Sequence, residues 1–267
     1  MTARVKSARK TAATGPVEIL NGSAVLTTQT LGGDGCAYWY IAPGLAAGPY
    51  VFTAAYSGDK NNPAGVSAPT TIVANPIPTT ISISSGTGST PYGVNLRRTV
   101  TVSSNAGPPQ GVITYSLDGG AAVPVSLSNG SAVLTIPGPA SGTHQLVIGY
   151  AQQTNYAAAA SQTVSFTVTP ATTTMILSVS APRVQTGTAV TFAAAVNSTT
   201  AGAPNATGSV SFFDGTAQLA AVPVDASGKA SYTTANLSVG RHGIVATYAG
   251  SDNYAASTTA TKVDIYK

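Results

Sequence analysis

Charge is scarce in this chain: Asp, Glu, Lys and Arg together make up only 7% of its residues. With 43% hydrophobic residues beside so little charge, a charge-extended disordered chain is excluded and a core can be buried. Cysteine is almost absent. The single Cys36 excludes an intrachain disulfide and a cysteine-rich metal site, and carries no information on redox compartment. Long apolar runs are missing too, so no segment of this chain is expected to span a membrane. The formal charge of +4 comes from 12 basic residues, several of them at the start: Arg4, Lys6, Arg9 and Lys10. No basic face is visible elsewhere, so nucleic acid is not an expected partner. Thr11-Ala12-Ala13-Thr14-Gly15 follows Lys10 where a signal peptide would have its apolar run, so this start reads as a solvated basic tail, and any exporting element lies upstream or is absent.

What is abundant is Gly, Pro, Ser, Thr, Ala and Val, the composition of many short strands joined by tight turns. The chain also repeats itself. Thr14-Gly15-Pro16-Val17-Glu18-Ile19-Leu20-Asn21-Gly22 recurs as Thr207-Gly208-Ser209-Val210-Ser211-Phe212-Phe213-Asp214-Gly215, with Gln110 to Gly119 matching between them. A second block starts at Gly35, Gly130 and Gly228. Two, four and six places on stand Ala37-Trp39-Ile41, Ala132-Leu134-Ile136 and Ala230-Tyr232-Thr234, a period of two that places them on the core face of a strand. A third block runs from Gly48 to Tyr56, Gly142 to Tyr150 and Gly240 to Tyr248, each a long alternating strand entering a polar turn. A closing strand is expected near Ser67 to Ala74, Ser161 to Thr169 and Ser257 to Tyr266.

These residues resemble the bacterial Ig-like domain repeat family, whose modules end in a pattern like G-x-Y-x-V-x-A-x-Y-x-G-D-x-N-Y before a final strand. Gly240 to Tyr254 matches best; the first copy has Asn62-Pro63 where the others have tyrosine, and the second has Gln152-Gln153 for the Gly-Asp pair. The resemblance implies an all-β fold of tandem immunoglobulin-like β-sandwiches, used as building blocks of bacterial surface or secreted proteins. The spacing of Gly48, Gly142 and Gly240 is close to the roughly 100 residues of a seven-strand sandwich. The junctions Asn75-Pro76-Ile77-Pro78 and Thr169-Pro170-Ala171 divide the chain into modules 1–76, 77–170 and 171–267, joined by stiff spacers into an extended rod. Modules two and three carry opening strands around Thr79 to Ser84 and Leu96 to Ser104, and around Thr173 to Ser180 and Thr188 to Val196. The first has only fourteen residues ahead of Gly15, a basic and not strand-like stretch, so its first two strands are expected to be missing. The core face around Trp39 would then lie beside an open strand edge, so the first repeat is expected to be either a truncated gene product or an acceptor completed by a strand from a partner chain.

His144 and His242 occupy the position of Tyr50, where Ig-like sandwiches often tie down a corner of the chain with a tyrosine hydroxyl. A ring nitrogen can make the same bond. No orienting partner for a catalytic histidine is visible in the sequence. Asp34, Asp59, Asp118, Asp214 and Asp252 fall at turns, and Asp59 with Asn61, or Asp252 with Asn253, offers too few oxygens for calcium. Neither paired carboxylates nor G-x-S-x-G is found. Asn21, Asn129, Asn197, Asn205 and Asn236 head N-x-S/T sequons of the kind this composition produces by chance. Trp39 has the inward parity of Leu134 and Tyr232, making it a core residue before a sugar platform, whereas Cys36 faces outward with Ser131 and Lys229. No catalytic, cofactor-binding or metal-ligating residue is therefore assigned, and no cofactor is expected. The expected role is a non-catalytic spacer or adhesive stalk of a bacterial cell-surface or secreted protein. Its partners would be neighbouring modules of a larger protein or another surface protein. The alternative is a carbohydrate-binding array accessory to a glycan-active enzyme, with glycan as partner, which exposed aromatic pairs on one sheet face would favour.

Overall fold

Glycine entering a strand with positive φ recurs at Gly15, Gly111 and Gly208, at +104°, +106° and +115°, a region closed to most side chains. At Gly208 a Cβ would lie 3.3 Å from the Tyr248 ring. Each of these glycines lets a buried tyrosine reach the carbonyl just before it, and around these ties the repeats are built. The computed structural model of the chain describes residues 2–7, 12–41, 44–84 and 89–267; among them every regular element is a strand.

The chain packs as two compact units, one of residues 1–80, 102–111 and 150–160, the other of 81–101, 112–149 and 161–267. In the first unit the strand Pro16–Asn21 lies between Ala24–Thr30 and the long strand Gly48–Tyr56, whose far edge carries Gly65–Val66 and Thr70–Ala74. Pro69, which has no N–H to donate, falls in the gap between the last two and breaks what is one continuous closing strand in the other repeats. Thr2–Arg4 pairs antiparallel with Cys36–Tyr38 in a second, two-stranded sheet. Val17, Ile19, Leu31, Ala37 and Tyr56 are buried together, with Ala3, Val5 and Trp39 packed against them.

Further along the chain, the strand set appears complete twice. Leu96–Ser103 lies between Thr80–Ile83 and Ser131–Ile136, as Val190–Ser198 lies between Thr173–Val179 and Lys229–Thr234. The five-stranded sheets run Val123–Ser126, Val112–Leu117, Gly142–Tyr150, Ala159–Thr169, Thr90–Pro91, and Ala217–Pro223, Ser209–Asp214, Gly240–Tyr248, Ser257–Tyr266, Arg183–Gln185. The outermost strand is parallel to its neighbour in both. Alternation within each strand sends Phe192, Phe212, Ile244, Ala246 and Tyr248 into one core with almost no exposed surface.

One expectation is corrected by the register. Arg4 stands opposite Cys36 as Thr101 stands opposite Ser131 and Ala195 opposite Lys229, and Val5 N–H reaches Gly35 O as Val196 N–H reaches Gly228 O. Thr2–Arg4 is therefore the end of the second opening strand. Among the described residues the first repeat shows no counterpart of the first strand, while Thr2–Arg4 matches the last residues of the second. The basic start looked unlike a strand, yet Arg4 and Lys6 are its outward positions while Ala3 and Val5 point toward the core; Arg9 and Lys10 lie outside the described residues.

The tie itself is the same in each repeat: Tyr56 donates to Thr14 O at 2.8 Å, Tyr150 to Gln110 O at 2.7 Å and Tyr248 to Thr207 O at 2.6 Å. Replacing Tyr248 with Phe removes one bond and leaves a shielded carbonyl unpaired, which costs about 1–2 kcal/mol. Phe212→Ala, opening a cavity in the same core, costs about 3–5 kcal/mol. Denaturant unfolding of the two variants should rank them in that order, and a Tyr248→Phe protein as stable as the parent would contradict the tie.

Candidate functional site

The best candidates for chemistry are the two histidines, and the structure places them at one repeated corner. Tyr50 OH donates to the carbonyl of Ala46 at 2.9 Å, His144 Nε2 to that of Ala140 at 2.8 Å, and His242 Nε2 to that of Ser238 at 2.8 Å, each four residues upstream. The corner tie expected from sequence is present in every repeat. The second ring nitrogen has a partner that sequence reasoning missed: Nδ1 of His144 lies 2.7 Å from Asp118 Oδ2, and Nδ1 of His242 lies 2.6 Å from Asp214 Oδ2. Asp118 follows the strand Val112–Leu117 and Asp214 ends the strand Ser209–Asp214, each at a turn with the following glycine, 26 and 28 residues before their histidines. The first repeat has Asn21 at that place, with Oδ1 accepting from Val51 N–H at 3.2 Å as Asp118 Oδ1 accepts from Gln145 N–H at 2.7 Å. Where the corner residue is tyrosine its companion is asparagine, and where it is histidine the companion is aspartate. That paired change was the available signal.

The chemistry of the pair follows from its acceptors. A carbonyl oxygen can only accept and a carboxylate also only accepts, so the ring satisfies both partners fully when both Nε2 and Nδ1 carry protons, in its imidazolium form. The Asp118 carboxylate and then the Ala140 carbonyl raise the His144 pKa against a smaller opposing effect of burial. For His242 burial opposes the charge most strongly, but the Ser238 carbonyl and Asp214 together outweigh it and the pKa is raised. Asp118 is lowered, first by the bond from His144 and then by Gln145 N–H. A general base needs a free lone pair within reach of a substrate proton. Neither ring has one.

The other candidates are also engaged internally. Asp59 accepts from the N–H groups of Thr14, Asn61 and Asn62 at 2.9, 2.7 and 2.8 Å, which hold its carboxyl well below the usual carboxylate range. Asp34 accepts from Cys36 N–H and from Tyr38 OH, each at 3.0 Å, and the latter hydrogen bond, followed by the Asp34 charge, pushes the Tyr38 phenol up to about 12. Trp39 is half-buried with its ring edge-on to Phe52 at 5.5 Å, just past the end of the strand Cys36–Tyr38. Cys36 is half-buried and unpaired. Tyr38 and Tyr40 are 54% and 85% exposed, two places apart. Among the described residues no group of three or more His, Cys, Asp or Glu could hold a metal ion. None forms a helix long and apolar enough to cross a membrane.

A cleft of about 400 Å³ opens in the first repeat between Thr2–Lys6 and Pro63–Thr70, over Val17, Ile19 and Tyr56. In the third repeat Met175 of the first strand stands opposite Val196, the register position of Val5. The cleft thus lies where the other repeats have their opening strand.

The bacterial Ig-like domain (group 3) matches residues 1–75, 83–169 and 177–265, one match for each strand set. The chain belongs to this family. No curated protein matches it. Among solved structures it is similar to the fibronectin(III)-like modules of Clostridium thermocellum CbhA, at 17% identity over 70% of this chain and 93% of that one, with a TM-score of 0.30. It is also similar to the Yersinia pseudotuberculosis adhesin InvE, at 16% identity over 71% of this chain and 59% of the adhesin, with a TM-score of 0.38. Escherichia coli alpha-2-macroglobulin shares 13% identity over 96% of this chain, which spans 18% of that protein, with a TM-score of 0.28. The two bacterial Ig-like modules with a histidine corner are the second and third, and the first, which has the cleft, carries the tyrosine.

This difference has a pH signature. A histidine whose native pKa is raised contributes stability fully below its unfolded value of 6.5 and loses that contribution as pH rises through the native value. Melting of the full chain should therefore fall as pH rises from 6.5, and the quadruple change His144→Tyr, Asp118→Asn, His242→Tyr, Asp214→Asn should flatten that slope. An unchanged slope would show that the corners are not the titrating groups.

Proposed function

We propose that this chain is a non-catalytic spacer, an adhesive stalk segment of a bacterial cell-surface or secreted protein, built of modules 1–76, 77–170 and 171–267. The observation that carries this reading is the internal use of the strongest candidates for chemistry: both nitrogens of each histidine, and the oxygens of Asp59 and Asp118, are engaged with the protein itself. Family membership supports the same role. The junctions favour stiffness, because Ile77 N–H donates to Asn155 O at 2.8 Å and Ala171, fully buried, donates to Asn253 O at 2.9 Å.

A second reading has one observation in its favour. Tyr38 and Tyr40 form an exposed aromatic pair of the type that stacks on sugars. The equivalent positions in the other modules are Val133 with Thr135 and Ser231 with Thr233, so a glycan site of this kind is confined to the first module.

The spacer reading is tested by pulling the full chain by its ends. Modules 77–170 and 171–267 should unfold in separate events, each releasing about 30 nm of extended chain. A gradual extension without such steps would contradict it. Affinity electrophoresis in soluble polysaccharides separates the two readings: the spacer passes unretarded, while retardation abolished by Tyr38→Ala with Tyr40→Ala would establish glycan binding instead.

A further inference from the structure

In the first unit the peptide group joining Ala46 and Ala47 is held from both sides. Its carbonyl accepts from Tyr50 OH at 2.9 Å, and its N–H donates to Asn155 Oδ1 at 3.0 Å. In the second unit the peptide joining Ala140 and Ser141 is held in the same way, by His144 Nε2 at 2.8 Å and by Asn253 Oδ1 at 2.8 Å. In both cases the brace belongs to the module that owns the peptide, and the asparagine belongs to the next module, in a turn closing with tyrosine: Asn155-Tyr156 and Asn253-Tyr254. The main chain of that same asparagine accepts the N–H of the incoming linker residue, Ile77 or Ala171. One residue thus reads the end of the preceding module with its side chain and fixes the linker with its backbone. A bond to the carbonyl polarises the peptide and makes its N–H a better donor, so the corner brace and the joint reinforce each other.

The third module repeats the first half of this arrangement. Ser238 O accepts from His242 Nε2 at 2.8 Å, fixing the peptide that joins Ser238 to Val239, while the Val239 N–H has no acceptor among the described residues. Val239 is 50% exposed. The neighbouring loop is open in the same sense. Tyr92 N–H reaches Thr169 O as Thr186 N–H reaches Tyr266 O, which makes Gly187 the counterpart of Gly93. A Cβ on Gly93 would come within 2.3 Å of Ala203 in the third module, whereas one on Gly187 meets nothing within 4 Å. Tyr92 also meets Tyr254 edge-on at 5.5 Å.

We propose that the braced Ser238–Val239 peptide and the loop at Thr186–Gly187 form a docking face for a further Ig-like module, one that follows the strand Ser257–Tyr266 and presents an Asn-Tyr turn. The occupant is set by the two occupied copies of the face within this chain: an asparagine side-chain oxygen on the Val239 N–H, and a small residue against Gly187. This rests on the reading of the chain as a module array. Glycan binding or turnover would overturn that reading without touching the docking face, and the experiment below addresses the face alone.

The test is amide hydrogen exchange on two chains. In the chain as it stands, Asn253→Ala should speed exchange at Ser141 about ten-fold while the amides of the strand Gly142–Tyr150 keep theirs. A chain in which residues 171–267 are repeated directly after Lys267 preserves the spacing of Thr169-Pro170-Ala171. There the exchange of Val239 should slow about ten-fold, to the level of Ser141, and Asn→Ala at the added copy's equivalent of position 253 should reverse it. Val239 exchanging equally fast in the original and extended chains, with Ser141 protected in both, would overturn the proposal. So would an Asn253→Ala chain whose Ser141 amide is unchanged, because the joint would then not depend on the asparagine.

Discussion

Each repeat depends on one nine-residue strand held at both ends: Gly48–Tyr56, Gly142–Tyr150 and Gly240–Tyr248. At its end a tyrosine reaches under the sheet to a carbonyl beside a positive-φ glycine, and near its start a tyrosine or histidine ties back to the carbonyl four residues earlier. The strand has neighbours on both sides, so its position sets the register of the sheet, and the alternation of Leu146 with Ile148, or Ile244 with Ala246, sets what the core contains. The opening strands are less central. The first module, in which only Thr2–Arg4 of the opening strands is seen among the described residues, still buries Val17, Ile19 and Tyr56, with a cleft along that edge.

The corner shows how the same mechanical need is met by two chemistries. Tyrosine with asparagine makes neutral bonds; histidine with aspartate makes an ion pair held by two further contacts, the Ala140 or Ser238 carbonyl and, for Asp118, the Gln145 N–H. A histidine and a carboxylate in contact is also the beginning of a catalytic dyad, and the two are told apart by the far nitrogen. In a dyad it faces a nucleophile or a substrate. Here it faces a backbone carbonyl on the same chain corner. The corner also aims the adjacent peptide at the next module, so a residue that fixes a fold within one module sets the joint to another.

Much of this was legible in the sequence because the repeats are in register. The period-of-two positions after Gly35, Gly130 and Gly228 predicted a buried face, and Ala37, Ala132, Leu134, Ile136 and Ala230 are buried; Trp39, Ile41, Tyr232 and Thr234 are only half-buried because they lie nearer the sheet edge or past the strand end. The shared position of Tyr50, His144 and His242 predicted their common bond. The partners Asp118 and Asp214 were not read, because their turn role explained them locally and the contact bridges 26 and 28 residues. Thr2–Arg4 was missed for a different reason: its outward basic side chains dominated the composition of a segment too short for alternation to be counted. The asparagines at the joints were also invisible, since only the fold brings Asn155 to Ala47 and Asn253 to Ser141.

The claim that the pinned long strand organises every repeat, including the first, is tested most directly by residue-resolved hydrogen exchange of the intact chain. The slowest amides should lie in all three of Gly48–Tyr56, Gly142–Tyr150 and Gly240–Tyr248, with the opening strands Thr80–Ile83 and Thr173–Val179 exchanging faster. Slow exchange in the opening strands alongside rapid exchange in Gly48–Tyr56 would contradict the account.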